Sequence, residues 1–195
     1  MAARGGVDPL DPSIGVTDPL GLYDPLGWLD ESKDPASRGA TFHAGFERRR
    51  AVERKHGRIA MLAVVGMLFH NADIEFPGYL SKELGIRFAD IPNGINGLFS
   101  VPLAGITQIV FFCGVCELAI WPASNYSGDY GCGYGRPFVP NFLEGEEKMQ
   151  KLNVEMNQGR AAMMGIMGAM VGEMVTGQTL AEQVASGNMI GYGPP

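Results

Sequence analysis

Charge is scarce in this chain. Asp, Glu, Lys and Arg make up 18% of its 195 residues, against roughly 25% in an ordinary soluble domain. That share disfavours a polar-coated soluble helix bundle, and 46% hydrophobic residues disfavour a disordered chain. Positive charge is scarcer still: 15 Lys and Arg stand against 21 Asp and Glu, a net charge of -6. Such a chain offers no overall basic field to a phosphate backbone, so nucleic acid is not expected as a partner. Cysteine is limited to Cys113, Cys116 and Cys132, too few for a disulfide framework at this length, and nothing in that count supports secretion. The opening MAARGGVDPL holds no apolar signal core; either a targeting extension has been removed or the numbering begins at the mature chain. No nucleophile–base pair or open metal site appears either, and no enzyme is expected.

Glycine is abundant, at 28 residues, and the apolar residues are unevenly placed. The length predicts a single domain over 1–195. Between Asp90 and Glu117 lie 26 residues without a formal charge. Within them LFSVPLAGITQIVFFCGVC, at 98–116, would at about 1.5 Å per residue cross most of a ~30 Å hydrocarbon layer. Two shorter apolar runs flank it, IAMLAVVGMLFHNA at 59–72 and AAMMGIMGAMVG at 161–172. The pattern predicts an all-α membrane protein with three transmembrane helices, at about 44–72, 98–120 and 146–175, behind a polar lead-in at 1–43. With three crossings, the lead-in and the 122–145 loop share one side, which then holds thirteen of the fifteen Lys and Arg.

The first and third of these segments are copies. ERKHGRIAMLAVVG at 53–66 and EMNQGRAAMMGIMG at 155–168 agree at six of fourteen positions, 102 residues apart. An internal repeat of this kind predicts a first and third helix crossing as a pseudo-two-fold pair with the middle helix alongside. An isolated carboxylate or guanidinium in a dry interior costs several kcal/mol, so Glu53, Arg58, Glu155 and Arg160 need partners. Within one helix, residues five apart sit about 140° apart and meet poorly. Between crossing copies, Glu53 reaches Arg160 and Glu155 reaches Arg58. Gly57 and Gly159, with Ala161, Gly165 and Ala169, permit the close approach. Taken alone, the two bridges could be structural glue.

Beside each bridge stands a second donor. His56 follows Glu53 by three residues and Gln158 follows Glu155 by three, which puts a carboxylate and a neutral N or O donor on one helical face. A di-iron or zinc cage needs convergent ligands, and a second Glu-x-x-His is missing. A metal already held by a macrocycle needs only one axial ligand, and each of these groups can supply it. Gln108 and Glu117 are the polar groups of the middle segment, candidates for the same duty or for interhelical hydrogen bonds. Cys113 and Cys116, among Phe111, Phe112 and Val115, read as packing rather than redox chemistry. The Met-rich stripe from Met163 to Met174 reads as core.

ExxHGRxAM at 53–61, followed by ExxQGRxAM at 155–163, resembles the paired motif of the intrinsic light-harvesting chlorophyll-binding proteins. The resemblance covers roughly residues 22–183. FPGYLS at 76–81 and FADIPNG at 88–94 are similar to the algal chlorophyll a/c branch, particularly its peridinin-binding type. What the resemblance implies is a plastid thylakoid antenna that absorbs light and passes excitation to photosystem I or photosystem II, among other antenna subunits and thylakoid lipids. Its implied cofactors are chlorophyll a, chlorophyll c and carotenoids of peridinin, fucoxanthin or diadinoxanthin type, with magnesium as part of the chlorophyll. Glu53, His56, Gln108, Glu117, Glu155 and Gln158 inherit the roles of axial magnesium ligands, with Arg58 and Arg160 as the bridging cations. Asp24, Pro25 and Gly27 in LYDPLGWLDESKDP inherit carotenoid contacts. His70 is an extra candidate ligand and His43 a weaker one.

The chain also departs from the family pattern. A common Gln ligand position falls on Gly172 beside Glu173, the His of the short following helix is absent from TLAEQVAS (179–186), and GDYGCGYGRPF (128–138) replaces a second DPLG lead-in. A quencher of the same architecture and a pigment-free three-helix scaffold are the rival readings. Docking to neighbours is expected through the lead-in, with its DPL repeats, and through the 122–145 loop.

Overall fold

The computed structural model of the chain describes residues 13–27, 42–120, 128 and 145–187, with backbone alone at 42–45 and 120. Among the described residues five α-helices stand in the order α1 (Phe42–Asn71), α2 (Ile95–Ser100), α3 (Leu103–Val115), α4 (Gly145–Thr176) and α5 (Leu180–Ser186). Between α1 and α2 lies a hairpin of β1 (Tyr79–Ser81) and β2 (Ile86–Arg87), paired antiparallel with Tyr79 opposite Arg87. Two compact units divide the chain: unit one is Met1–Arg58 with Phe112–Arg160, and unit two is Ile59–Phe111 with Ala161–Pro195.

The expectation of three transmembrane helices is corrected here. Among the described residues no helix is long and apolar enough to cross a membrane. The uncharged 98–116 run is not one helix. Pro102 lacks the N–H a continuing helix requires and pushes the residue before it out of the helical region, and Val101 is indeed extended, at φ -73° and ψ 130°. Chain direction resets there: the Pro102 carbonyl accepts from the N–H groups of Gly105 and Ile106, and α3 then runs for only 13 residues, about 20 Å. A π-helical turn, Cys116–Ile120, follows. Helices α1 and α4 have the length, at 30 and 32 residues, but charged residues fill their first halves up to Arg58 and Arg160. The membrane orientation drawn from the basic residues falls with the spans.

In unit one the core is small and specific. Ile14 is fully buried and Met156 nearly so; a methyl group at Gly15 would touch Met156. The 13–21 segment is strapped across α4: Gly15 N–H donates to Asn153 Oδ1 at 2.8 Å, and the Thr17 hydroxyl reaches Asn157 Oδ1 at 3.4 Å. A cavity of about 620 Å³ lies beneath this strap, lined by Ile14 to Asp24, Phe46, Arg49, Arg50, Glu53, Asn157 and Arg160.

In unit two the hairpin is held by the Arg87 guanidinium lying 5.3 Å over the Tyr79 ring and by an edge contact of Phe76 with Phe88 at 5.9 Å. Glu173 of α4, only 8% exposed, accepts the Ile95 N–H at 2.9 Å and so caps α2. Gly94 permits this: its φ is +78°, and a Cβ there would stand 2.6 Å from Glu173 Oε2. Helix α5 starts in a Thr179–Glu182 capping box and ends on left-handed Gly187.

Candidate functional site

The site grows from one close contact between the two sequence copies in unit one. A Cβ on Gly57 would lie 2.9 Å from Gly159 Cα, and one on Gly159 would lie 3.0 Å from Gly57 Cα. Backbone therefore touches backbone, a distance only glycine tolerates at both positions. Each glycine precedes an arginine, and the close approach sets both arginines against the opposite helix. Arg58 Nε donates to Glu155 Oε1 at 2.5 Å, and Arg160 Nε donates to Glu53 Oε1 at 2.6 Å.

The two arginines are closed by backbone carbonyls that the sequence did not advertise. Arg160 Nη1 donates to the Gly15 carbonyl at 2.9 Å, and Arg58 Nη1 donates to the Gly128 carbonyl at 2.9 Å. Both glycines have positive φ, +85° and +65°, a backbone conformation that favours glycine. The available signal was the glycine itself, in SIG and in SGDYG, but a carbonyl acceptor leaves no side-chain pattern to find. Arg160 also lies 3.4 Å from Asn157 Oδ1.

The ligand chemistry follows from what is left over. Each carboxylate spends Oε1 on its arginine, and among the described residues its Oε2 accepts no hydrogen bond. The pair is close to neutral as a unit and presents one oxygen, a fit for a hard cation that needs a single axial donor. His56 is exposed, with Nδ1 2.8 Å from the Val52 carbonyl. That contact makes Nδ1 the N–H donor and leaves the Nε2 lone pair outward. Gln158 is exposed and makes no side-chain hydrogen bond among the described residues. No group of three or more His, Cys, Asp or Glu that could hold a bare metal ion occurs among the described residues.

The remaining candidates are placed differently. Glu117, in the π-helical turn, is ion-paired with Lys55 of α1, a partner the sequence reading did not name. Gln108 is exposed on α3 with no partner among the described residues. In unit two, the His70 ring lies against Gly97, 3.4 Å from where its Cβ would be. Asp24, Pro25 and Gly27 form a turn closed by Gly27 N–H to the Asp24 carbonyl at 3.2 Å, and of the three only Asp24 lines the strap cavity. The His43 side chain, Cys132, the lead-in at 1–12 and 28–41, and the 121–144 loop apart from Gly128 lie outside the described residues.

Comparison with known proteins bears on this geometry directly. Residues 10–174 match the family model "Chlorophyll A-B binding protein". The chain is similar to fucoxanthin-chlorophyll a-c binding protein F, chloroplastic, of Macrocystis pyrifera, at 41% identity over 169 residues, 85% of this chain and 75% of the relative. It is 42% identical to protein A of the same alga over 164 residues, 82% of this chain and 70% of the relative. Fucoxanthin-chlorophyll a-c binding protein A of Phaeodactylum tricornutum is 41% identical over 165 residues, 83% of this chain and 79% of the relative. A model match over most of the length, with relatives at this identity spanning the paired motif, means that the chain belongs to the chlorophyll a-b binding protein family.

Proposed function

We propose that the protein is a light-harvesting antenna subunit of the plastid that binds chlorophyll a, chlorophyll c and fucoxanthin-type carotenoid at the thylakoid. The observation that carries this reading is the reciprocal pair of bridges, each of which neutralises a carboxylate with one oxygen and leaves the other free. Glu53 and Glu155 would hold one chlorophyll each, His56 would hold another, and Gln158 another. Glu117, neutralised by Lys55, repeats the logic of the bridges, and Gln108 and His70 are further single donors. Bound chlorophyll supplies light absorption and excitation transfer. The chain's residues contribute fixed positions, one ligand per pigment, and local charge that tunes each pigment's absorption; no bond is made or broken.

The apolar surface supports the same reading. Leu118, Phe99, Met164, Leu103 and Phe111 are each about three-quarters exposed or more, far beyond what a bare protein surface tolerates in number, and pigment would cover them. The cavity beneath the 13–21 strap, with Asp24 and the Glu53–Arg160 bridge in its wall, suits the polar end of an elongated carotenoid. Association with other antenna subunits and a photosystem core follows from the energetic use of such a unit, since captured excitation needs an acceptor.

Purification in mild detergent, extraction into organic solvent and an absorbance scan test the proposal. The expected result is chlorophyll a, chlorophyll c and carotenoid in fixed ratio, with carotenoid excitation appearing in chlorophyll fluorescence. A colourless chain would overturn it.

A further inference from the structure

We infer that Arg54 is a positioning residue for the Glu155 donor: it seats Gly128, whose carbonyl fixes Arg58 and, through Arg58, the carboxylate offered to pigment. The inference rests on the pigment-binding reading above and adds a residue which that reading does not contain.

The two copies of the repeat, alike in their bridges, part company one position after the glutamate. Arg54 follows Glu53 and Met156 follows Glu155, so the two are equivalent in the repeat. Both residues are buried, at 5% and 3% exposure. Each lies against the glycine that closes the arginine of its own copy, since Arg58 donates to the Gly128 carbonyl and Arg160 to that of Gly15. The contacts differ in closeness. A Cβ on Gly15 would stand 3.5 Å from Met156 Cε and 3.6 Å from its Cγ, ordinary separations. On Gly128 it would stand 2.6 Å from Arg54 Nη1, 2.8 Å from Cδ and 3.4 Å from Cζ. Glycine is thus required at 128 twice over, by its positive φ and by the Arg54 side chain packed on its α-carbon.

Contact of this closeness transmits position. A guanidinium is planar and rigid, so Arg54 gives Gly128 a firm seat, whereas the flexible thioether of Met156 adapts to its surroundings. Arg58 in turn spends one fork on two partners, Nε on Glu155 Oε1 at 2.5 Å and Nη1 on the Gly128 carbonyl at 2.9 Å. The fork cannot bend, so a shift of the Gly128 carbonyl turns the plane of Arg58 and carries the Glu155 carboxylate with it. Arg54 also places a second guanidinium on the same peptide as Arg58. Charge at that range changes the field at a pigment bound to Glu155 without touching it.

The test is refolding of the full chain with chlorophyll a and carotenoid, followed by pigment counting per chain, low-temperature absorption and circular dichroism. Wild type, Arg54→Met and Arg54→Lys are compared. The band of the Glu155 pigment is the one that Glu155→Gln alters, and His56→Leu probes the antenna reading separately. Arg54→Met, which gives the first copy the residue of the second, is expected to keep helix content and to displace the Glu155 band alone; loss of that one chlorophyll would be the same effect carried further. Arg54→Lys, which keeps the charge but not the flat contact with Gly128, is expected to displace the band in the same direction by less. An unmoved Glu155 band in Arg54→Met, or a displacement shared by the other chlorophyll bands, would overturn the inference, while a one-chlorophyll deficit in His56→Leu still upheld the antenna reading. If Arg54→Met does not refold, Arg54→Lys decides: a displaced Glu155 band supports the inference, and a band at the wild-type position or a second failure to refold overturns it. A wild-type chain that takes up no chlorophyll would overturn both.

Discussion

The two copies of the repeat, 53–61 and 155–163, agree where charge has to be neutralised and differ where only a lone pair has to be presented. Both contribute a glutamate, a contact glycine and an arginine, and both arginines make the same two bonds, Nε to the opposite Glu Oε1 and Nη1 to a glycine carbonyl. Those bonds come from unlike lead-ins, SIGVT around Gly15 and YSGDY around Gly128. Between them the copies diverge: His56 ties Nδ1 to Val52, while the Gln158 amide has no hydrogen bond among the described residues. A mispaired charge is heavily penalised, so the bridges admit little variation; under the proposed function a ligand to magnesium can be an imidazole or an amide, and there the copies differ. The bridges are also unequally sheltered. The Arg58–Glu155 side chains are 27% and 25% exposed, and those of Arg160–Glu53 are 41% and 34%.

That inequality gives the largest expected effect. Replacing one partner of a fully buried pair costs about 3–5 kcal/mol, and an exposed pair is worth about 0–1 kcal/mol. Arg58→Leu, in the better sheltered bridge, should destabilise by roughly 2–3 kcal/mol and release the Glu155 pigment, and Arg160→Leu should cost less. Adding Glu155→Gln to Arg58→Leu should recover part of the loss, since an amide needs no counter-charge. Thermal melts of the three variants beside the wild type check the ranking, and a double variant less stable than Arg58→Leu would break the cross-helix pairing.

Next comes the glycine contact, where the copies should behave alike. Gly57→Ala and Gly159→Ala each drive a Cβ to about 3 Å from the opposite backbone, and overpacking of this kind costs about 1–3 kcal/mol. Backbone on both sides cannot rotate away, so the two losses should match within about 0.5 kcal/mol; denaturant midpoints measure it. A loss confined to one of them would show that the contact is not shared equally.

Smaller in stability but sharper in chemistry are the divergent donors. His56→Leu and Gln158→Leu should each remove one chlorophyll per chain while shifting stability by no more than about 0.5 kcal/mol, as exposed positions do. Exchanging them, His56→Gln with Gln158→His, should keep both pigments and trade their absorption bands, which low-temperature spectra resolve. A weak effect is also expected at Lys55→Met: its pair with Glu117 is partly exposed, worth about 0–1 kcal/mol. Pigment held by Glu117 should become more weakly bound, and an unchanged pigment count after detergent washing would argue that Lys55 only solvates that carboxylate.

Much of the site was legible in the sequence because its logic is pairwise and periodic. Six matching positions in fourteen, with Glu and Arg too far around one helix to meet, leave the partner copy as the source of counter-charge. The prediction of three spanning helices failed for an equally physical reason. The uncharged run at 98–116 predicts one helix over about 98–120, whereas Pro102 ends α2 and restarts the chain as a 13-residue α3. The Lys55–Glu117 pair escaped notice because the two residues belong to no common pattern and stand 62 positions apart.

By itself the sequence determined the composition of the bridges, the glycines at their crossing and the spacing of donor behind carboxylate, since these follow from charge neutrality, side-chain volume and the 3.6-residue period. Only the tertiary structure decided which backbone carbonyls close the arginines, which lysine faces Glu117, that Glu173 turns to cap α2, and that Arg54 packs on Gly128. Those are contacts of carbonyls, turns and amides whose partners lie far along the chain, and no local periodicity encodes where a loop will place a single oxygen.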